Sequence, residues 1–292
     1  MIVNFTIKNF RSFKEETVFS LEASGSKGKS DNVAEVETKN GKKFRLLKTA
    51  VIYGANASGK SNVIRAYWSF RQLIAASFRY DVNDEIVLAE PFELSPETES
   101  EPTEFTLNFI AWDKQQYIYS IAISKIEGII EETLKYYPEK TQKLIYRRRG
   151  RKILSKNPDF FKGKNDVESI NPKRLFLSEL GNSGDVFWEE LRNYFIVGSS
   201  VLNSSANGMV HRMTENAKRI FESNEAGAIA IKNKVIKLVQ LSDLGIKGLE
   251  LVEEEQVEHA PAGGEQLRQR RMQDVIIESD QEADDRYHQR RE

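Results

Sequence analysis

The sequence predicts a mixed α/β fold, because a short apolar run, a glycine-containing loop and a helical period follow one another within residues 50–78. The run Ala50-Val51-Ile52-Tyr53 shows no polar alternation, which favours a strand buried on both faces. The loop that follows has the spacing Gly-x-x-x-x-Gly-Lys-Ser. Beyond the loop, apolar residues recur at the spacing of one helix face: Val63, Tyr67, Phe70, Ile74 and Phe78.

The first fifty residues predict strands. Residues 2–7 alternate between apolar and polar side chains, residues 17–21 form a second β-type run, and a short bend at Asn9–Phe13 separates them. We therefore expect an antiparallel pair at the start of the chain. Phe44–Leu47 predicts a further strand.

The middle of the chain predicts an antiparallel meander. Residues 95–104 are acidic and contain proline, which indicates a loop, and β-type runs of three to five strands follow between residues 105 and 148. Helical signals return near residue 172. An amphipathic helix is predicted around Val186–Phe195, and one or two more over residues 209–241.

We divide the chain into four segments on these patterns. Residues 1–90 carry the N-terminal strands and the glycine loop, and residues 91–172 form a β-rich antiparallel lobe. Residues 173–252 are a helical part of the same domain as the first segment. Residues 253–292 are highly charged, with few large apolar residues, and indicate a charged tail or a surface helix.

Composition excludes several classes of function. The 292 residues include 39% hydrophobic and 30% charged residues with a net charge of -1, which is typical of a soluble globular protein without a global field for nucleic acid or membrane. The absence of cysteine excludes disulfides and thiolate metal sites, and the three histidines lie far apart. No apolar run approaches the roughly 20 residues of a membrane span. We expect a cytoplasmic protein without a membrane partner.

The glycine loop predicts a phosphate-binding site. Backbone N–H groups bent into a concave nest bind phosphate oxygens, and glycine lets the backbone curve closely around them. Lys60 adds a positive charge for the β- and γ-phosphates, and the Ser61 hydroxyl is suited to one position of a Mg²⁺ octahedron. The helix that begins here directs its positive end at the phosphates. The candidate residues are Gly54, Ala55, Asn56, Ala57, Ser58, Gly59, Lys60, Ser61 and Asn62.

The segment Val51–Asn62 resembles the Walker A region of ABC-type ATPases of the chromosome-maintenance (SMC) and RecF group, in which Asn56 and Asn62 are characteristic. The opening run Ile7–Phe13 is similar to an Asn-Phe-Arg-Ser element that the same group places near its nucleotide. The chain also resembles bacterial AAA family ATPases related to the overcoming-lysogenization-defect (OLD) and anticodon-nuclease ATPases. That resemblance covers about residues 1–250, and these stretches carry it: Val51–Ala66, Pro91–Leu94, Phe105–Ile110 and Arg174–Ser178.

The resemblance implies a P-loop NTPase fold of ABC/SMC type that binds ATP and Mg²⁺. By position, Lys60 is the catalytic lysine, Ser61 ligates magnesium, and Arg11 and Ser12 lie near the nucleotide; a solvated arginine in a turn is the alternative for Arg11. The resemblance also implies a homodimer or higher oligomer with ATP between subunits. ATP binding would drive dimerisation, hydrolysis would release it, and a nuclease or toxin partner would respond in phage defence.

Two motifs of the resembled families are not recognisable. Leu177–Gly181 and Leu241–Gly245 are superficial matches to the Leu-Ser-Gly-Gly sequence, and we interpret both as strand-to-helix or helix-end segments. Val275–Glu278 is a poor Walker B strand. We therefore expect the sequence to end before a C-terminal lobe. ATP hydrolysis would then depend on that lobe. The alternative function is an ATP-gated scaffold without hydrolysis. A P-loop kinase that phosphorylates a small molecule is a third candidate.

The densest basic run is Arg147–Lys152, at the end of the meander. A hairpin here could contact a phosphate backbone, which leaves nucleic acid open as a partner. A solvated hairpin tip is the favoured interpretation.

Overall fold

The computed structural model describes residues 1–25, 30–56, 58–161, 169–196 and 219–240. The chain divides into two compact units, Met1–Val201 and Leu202–Glu292. The described part of the second unit is helical at residues 219–222 and again at 226–240. The predicted tail at 253–292 and residues 209–218 of the predicted helical stretch lie outside the described residues.

Nine strands form among the described residues of the first unit. They are β1 Ile2–Lys8, β2 Thr17–Ser20, β3 Val33–Glu37, β4 Lys43–Leu47, β5 Thr103–Ile110, β6 Gln116–Ser124, β7 Gly128–Tyr136, β8 Lys143–Arg149 and β9 Lys152–Lys156. Seven of them pair antiparallel in one sheet with the order β2-β1-β5-β6-β7-β8-β9, while β3 and β4 form a separate hairpin. The predicted N-terminal pair and meander are both present, and β1 joins them into one sheet by pairing with β5.

Besides the helical residues 219–222, the α-helices of the described part of the chain are α1 Lys60–Ala76, α2 Pro96–Ser100, α3 Phe176–Leu180, α4 Val186–Ile196 and α5 Ala226–Gln240. The predictions of a helix after the glycine loop, of a helix around residue 186 and of a helix within 209–241 are thus confirmed. Among the described residues, no helix has the combination of length and hydropathy needed to cross a bilayer.

The main core lies between one face of the seven-stranded sheet and helices α1, α3 and α4. Alternate residues of β5 and β6 are buried on this face, as a half-buried antiparallel sheet requires. The Phe70 ring of α1 lies at the centre, 5.5 Å from the Phe5 ring and 5.9 Å from the Phe195 ring of α4. On the opposite face, small hydroxyl side chains stand in register across four strands: Thr6, Thr106, Ser120 and Thr133.

The predicted buried strand at 50–53 is wrong. These four residues form no ladder with any described residue, and Val51 and Tyr53 are 76% and 89% exposed. An apolar run becomes a buried strand only if neighbouring strands satisfy its backbone on both edges. Among the described residues the large sheet ends at β2 and β9, and neither edge pairs with this run.

The predicted loop at 95–104 is also only partly correct. Its centre forms the short helix α2, with Pro96 at the first position, where the missing N–H costs nothing. Thr98 is buried and donates to the carbonyls of Phe92 and Ser95. An acidic, proline-containing stretch therefore forms a turn of helix here, because the hydroxyl of Thr98 points inward.

A fully buried ion pair connects the sheet to α3. Glu132 of β7 and Arg148 of β8 are both 0% exposed, with 3.4 Å between Arg148 Nη1 and Glu132 Oε2. Glu132 also accepts hydrogen bonds from the hydroxyls of Tyr119 and Tyr146 and from the backbone N–H groups of Phe176 and Leu177 at the start of α3. Because Arg148 points inward, the predicted solvated hairpin tip contains one buried arginine.

Candidate functional site

The glycine loop lies on the surface and leads directly into α1. Gly54, Ala55, Asn56 and Ser58 are exposed, whereas Ala57 lies outside the described residues. Gly59 has φ +85°, a left-handed conformation that L side chains rarely adopt, and α1 begins at Lys60. No side chain caps this 17-residue helix. The Asn62 N–H donates to the Gly59 carbonyl at 2.9 Å. Among the described residues no hydrogen bond engages the N–H groups of Lys60 and Ser61, so these two groups and the positive end of the helix can bind an anion.

Lys60 folds back over the loop. Its Nζ donates to the carbonyl oxygens of Gly54 at 2.9 Å and Ala55 at 2.6 Å, and lies 3.4 Å from Ser58 Oγ. The ammonium is thus held inside the curve of the loop by weak neutral acceptors. A phosphate oxygen is a stronger, charged acceptor, so an anion bound in this curve would compete for the same donor.

A tight turn follows β1. Phe10 and Phe13 exchange backbone hydrogen bonds of 2.8 Å, and Asn9 and Arg11 have φ values of 49° and 51°. The Asn9 side chain is buried. It donates to the carbonyls of Thr98 and Glu101 and accepts from the N–H of Phe92, at 2.8 to 2.9 Å. These contacts hold the turn in a conformation that is uncommon for residues with a Cβ.

The turn contacts the glycine loop and the first turn of α1. Asn62 Nδ2 donates to Ser12 Oγ at 2.8 Å, and Arg11 Nη1 donates to Asn62 Oδ1 at 3.4 Å. A Cβ placed on Gly59 would lie only 2.6 Å from Ser12 Oγ. The structure therefore brings Arg11, Ser12 and Asn62 together with the start of α1, although more than 40 residues separate them in sequence.

Glu90 is a member of this cluster that sequence reasoning missed. Its carboxylate forms an ion pair with Arg11, with 3.1 Å between Arg11 Nε and Glu90 Oε2, and accepts a hydrogen bond from Arg65 Nε at 3.4 Å. Its carbonyl accepts a hydrogen bond from the Arg11 N–H at 2.8 Å. It directly precedes the run Pro91–Leu94 used in the family resemblance. No sequence spacing predicts that residue 90 lies beside residue 11. The one local signal is Arg65, which lies one helical turn after Asn62 on α1 and therefore predicts a second arginine near Arg11.

The charges at the site favour an anion. Lys60, Arg11, Arg65 and the N-terminus of α1 are positive, and the carboxylate of Glu90 is shared between two guanidinium groups. Within the described ranges, no group of three or more histidine, aspartate or glutamate residues could hold a metal ion. The exposed Ser61 hydroxyl fits a single ligand of Mg²⁺, which usually takes its other ligands from phosphates and water.

The superficial Leu-Ser-Gly-Gly match at 177–181 is helix α3 and its C-cap. Leu177, Ser178 and Leu180 are buried, and Ser178 Oγ accepts a hydrogen bond from the N–H of Phe78. The interpretation as a helix segment is confirmed. The other candidates for this motif and for Walker B, residues 241–245 and 275–278, lie outside the described residues.

Residues 50–221, more than half of the chain, match the family described as "AAA domain, putative AbiEii toxin, Type IV TA system". No curated protein matches the chain. The match begins just before the glycine loop and extends through α1, the meander and α4, so it includes the loop, Lys60, Ser61 and Glu90. The chain therefore belongs to this family of AAA domains, and membership supports nucleotide binding by a P-loop ATPase-like domain.

Proposed function

We propose that the protein binds ATP and Mg²⁺ in the glycine loop at 54–61. The observation that carries this proposal is the convergence of Lys60, the uncapped N-terminus of α1 and the Arg11 turn on one exposed loop. Backbone N–H groups and Lys60 would hold the phosphates, and the Ser61 hydroxyl would ligate Mg²⁺. Magnesium would neutralise charge on the phosphate oxygens.

The larger role we propose is a nucleotide-driven switch of ABC/SMC type. ATP binding would bring two copies together, hydrolysis would release them, and a nuclease or toxin partner would respond in anti-phage defence. The family description, which names a toxin and a toxin–antitoxin system, supports the defence context. The exposure of the glycine loop supports an ATP site shared between two copies of the chain, because a second copy could contact nucleotide bound at 54–61.

An ATP-gated scaffold without hydrolysis is the second candidate function. Hydrolysis requires a group that orients the attacking water. Among the described contacts of the site, the carboxylate that takes part is Glu90, and two arginines already hold it. Turnover would therefore require a carboxylate from elsewhere in the chain or from a second copy.

The deciding experiment measures ATP binding and turnover with Mg²⁺ for the wild type, for Lys60→Ala and for the exposed-lysine control Lys140→Ala. We expect binding by the wild type and the control, and its loss in Lys60→Ala. Turnover would identify an ATPase, and binding without turnover would identify the scaffold. Sedimentation with ATP and with ADP tests dimerisation. A wild type that does not bind ATP would contradict the proposal.

A further inference from the structure

We infer that Glu90 is a positioning residue that pre-orients Arg11 for the nucleotide. This inference rests on the proposed function, because it assigns to Glu90 a role in the same ATP site. Glu90 itself contacts no part of the loop at 54–59 in the hydrogen bonds of the described residues. Its effect on ATP would therefore act through Arg11.

Glu90 holds Arg11 at two points. The Glu90 carbonyl accepts a hydrogen bond from the Arg11 N–H, and the Glu90 carboxylate forms an ion pair with the Arg11 guanidinium at 3.1 Å from Nε. The backbone contact fixes a residue whose φ of 51° is unfavourable for an arginine, and the side-chain contact fixes the direction of the guanidinium. One residue thus restrains both the main chain and the side chain of Arg11.

The restraint leaves part of the guanidinium available. Arg11 forms an ion pair with Glu90 on its Nε side and donates through Nη1 to Asn62, while a guanidinium carries five N–H donors in a planar fork. The Arg11 side chain is 40% exposed, so without these contacts it would sample many rotamers. Fixing the side chain before the ligand arrives removes most of that entropy loss from the binding step.

Glu90 also allows two arginines to lie side by side. Arg65 Nε donates to Oε1 at 3.4 Å, and Oε2 of the same carboxylate forms the ion pair with Arg11. Without the carboxylate, the two guanidiniums would repel each other and Arg11 would move away from Arg65. The shared carboxylate therefore favours the position of Arg11 against Asn62, at the start of α1.

The test is a double-mutant cycle on ATP affinity, with Mg²⁺ present. It uses the full chain as wild type, Glu90→Ala, Arg11→Ala and the double variant. If Glu90 acts through Arg11, each single variant weakens ATP binding about ten-fold, the size expected for a partly exposed charged hydrogen bond. The double variant then also binds ATP about ten-fold more weakly than the wild type, rather than a hundred-fold, because both changes remove the same interaction. Glu90→Gln, which keeps an acceptor oxygen, should recover part of the loss.

Two controls separate this role from a structural one. Glu93→Ala removes an exposed carboxylate three residues away and should leave ATP affinity unchanged. Thermal unfolding monitors the fold, and if Glu90→Ala does not fold, the cycle is run with Glu90→Gln. Additive losses, unchanged affinity in Glu90→Ala, or tighter binding in that variant would each overturn the inference. Failure of the wild type to bind ATP would instead overturn the proposed function, so the two failures are distinguishable.

Discussion

Ser12 Oγ occupies the space that a side chain on Gly59 would need, because a Cβ at position 59 would lie 2.6 Å from that oxygen. The turn after the first strand therefore packs directly against Gly59, the residue of the glycine loop that precedes α1. This contact explains how an N-terminal turn can belong to a site built around α1.

Gly59→Ala should destabilise the site for two reasons. Alanine at φ +85° costs about 1–2 kcal/mol, and its Cβ would displace Ser12. We expect a lower free energy of unfolding in urea and weaker ATP binding. Gly41→Ala is the matched control, since Gly41 has φ +80° and no atom within 4 Å of its Cβ position. Ser12→Ala in the Gly59→Ala background should recover part of the loss. Equal effects of Gly59→Ala and Gly41→Ala would contradict the steric contact.

Asn9→Ala should loosen the turn that carries Arg11. The change removes donors to two carbonyls, leaves the N–H of Phe92 without its acceptor and places alanine at φ 49°. Such losses lower the free energy of unfolding by about 2–3 kcal/mol. Asn9→Asp keeps the acceptor oxygen but places a second carboxylate oxygen against the carbonyls of Thr98 and Glu101, so it should also be destabilising in the same urea titration. An Asn9→Ala protein as stable as the wild type would show that the side chain does not hold the turn.

Glu132→Ala should be strongly destabilising. It leaves buried Arg148 without its carboxylate and removes the acceptor of two backbone N–H groups of α3. Removing one partner of a buried ion pair typically lowers the free energy of unfolding by about 3–5 kcal/mol. The neighbouring Glu131→Ala is the control, because Glu131 pairs with Arg147 on the partly exposed face and should cost less than about 1 kcal/mol. Similar losses for the two variants would contradict the prediction.

Stability should decrease in alkaline solution. Burial, and then the charge of Glu132, raise the pKa of Tyr119 and of Tyr146 well above the ordinary value. Above about pH 10, tyrosines in the unfolded chain lose protons that these two retain in the folded chain, so the free energy of unfolding falls as pH rises. Urea titrations at pH 8 and 10.5 measure this fall.

The doubly substituted Tyr119→Phe, Tyr146→Phe protein should show a shallower decrease over the same interval. A slope equal to that of the wild type would mean that other groups cause the alkaline loss. Tyr117 and Tyr194 also have a raised pKa, mainly through burial, so some decrease should remain.

The sequence by itself determined the elements whose signal is local. Helix α1 follows from the 3.6-residue period of its apolar side chains, and the strands of the meander follow from alternation. The loop residues Gly54 to Ser61 were recognisable because phosphate chemistry fixes glycine, lysine and serine at a set spacing. The Asn-Phe-Arg-Ser turn was recognisable by resemblance alone.

The tertiary structure decided which distant segments meet. Residues 50–53 have the composition of a buried strand, but no described strand lies beside them. Composition alone does not show whether another strand is there to pair with. Glu90 and Glu132 look like ordinary surface carboxylates in sequence, yet one holds Arg11 across 79 positions and the other is fully buried against Arg148. Local periodicity encodes the side of an element that is buried, whereas ion pairs between distant segments depend on the path of the whole chain.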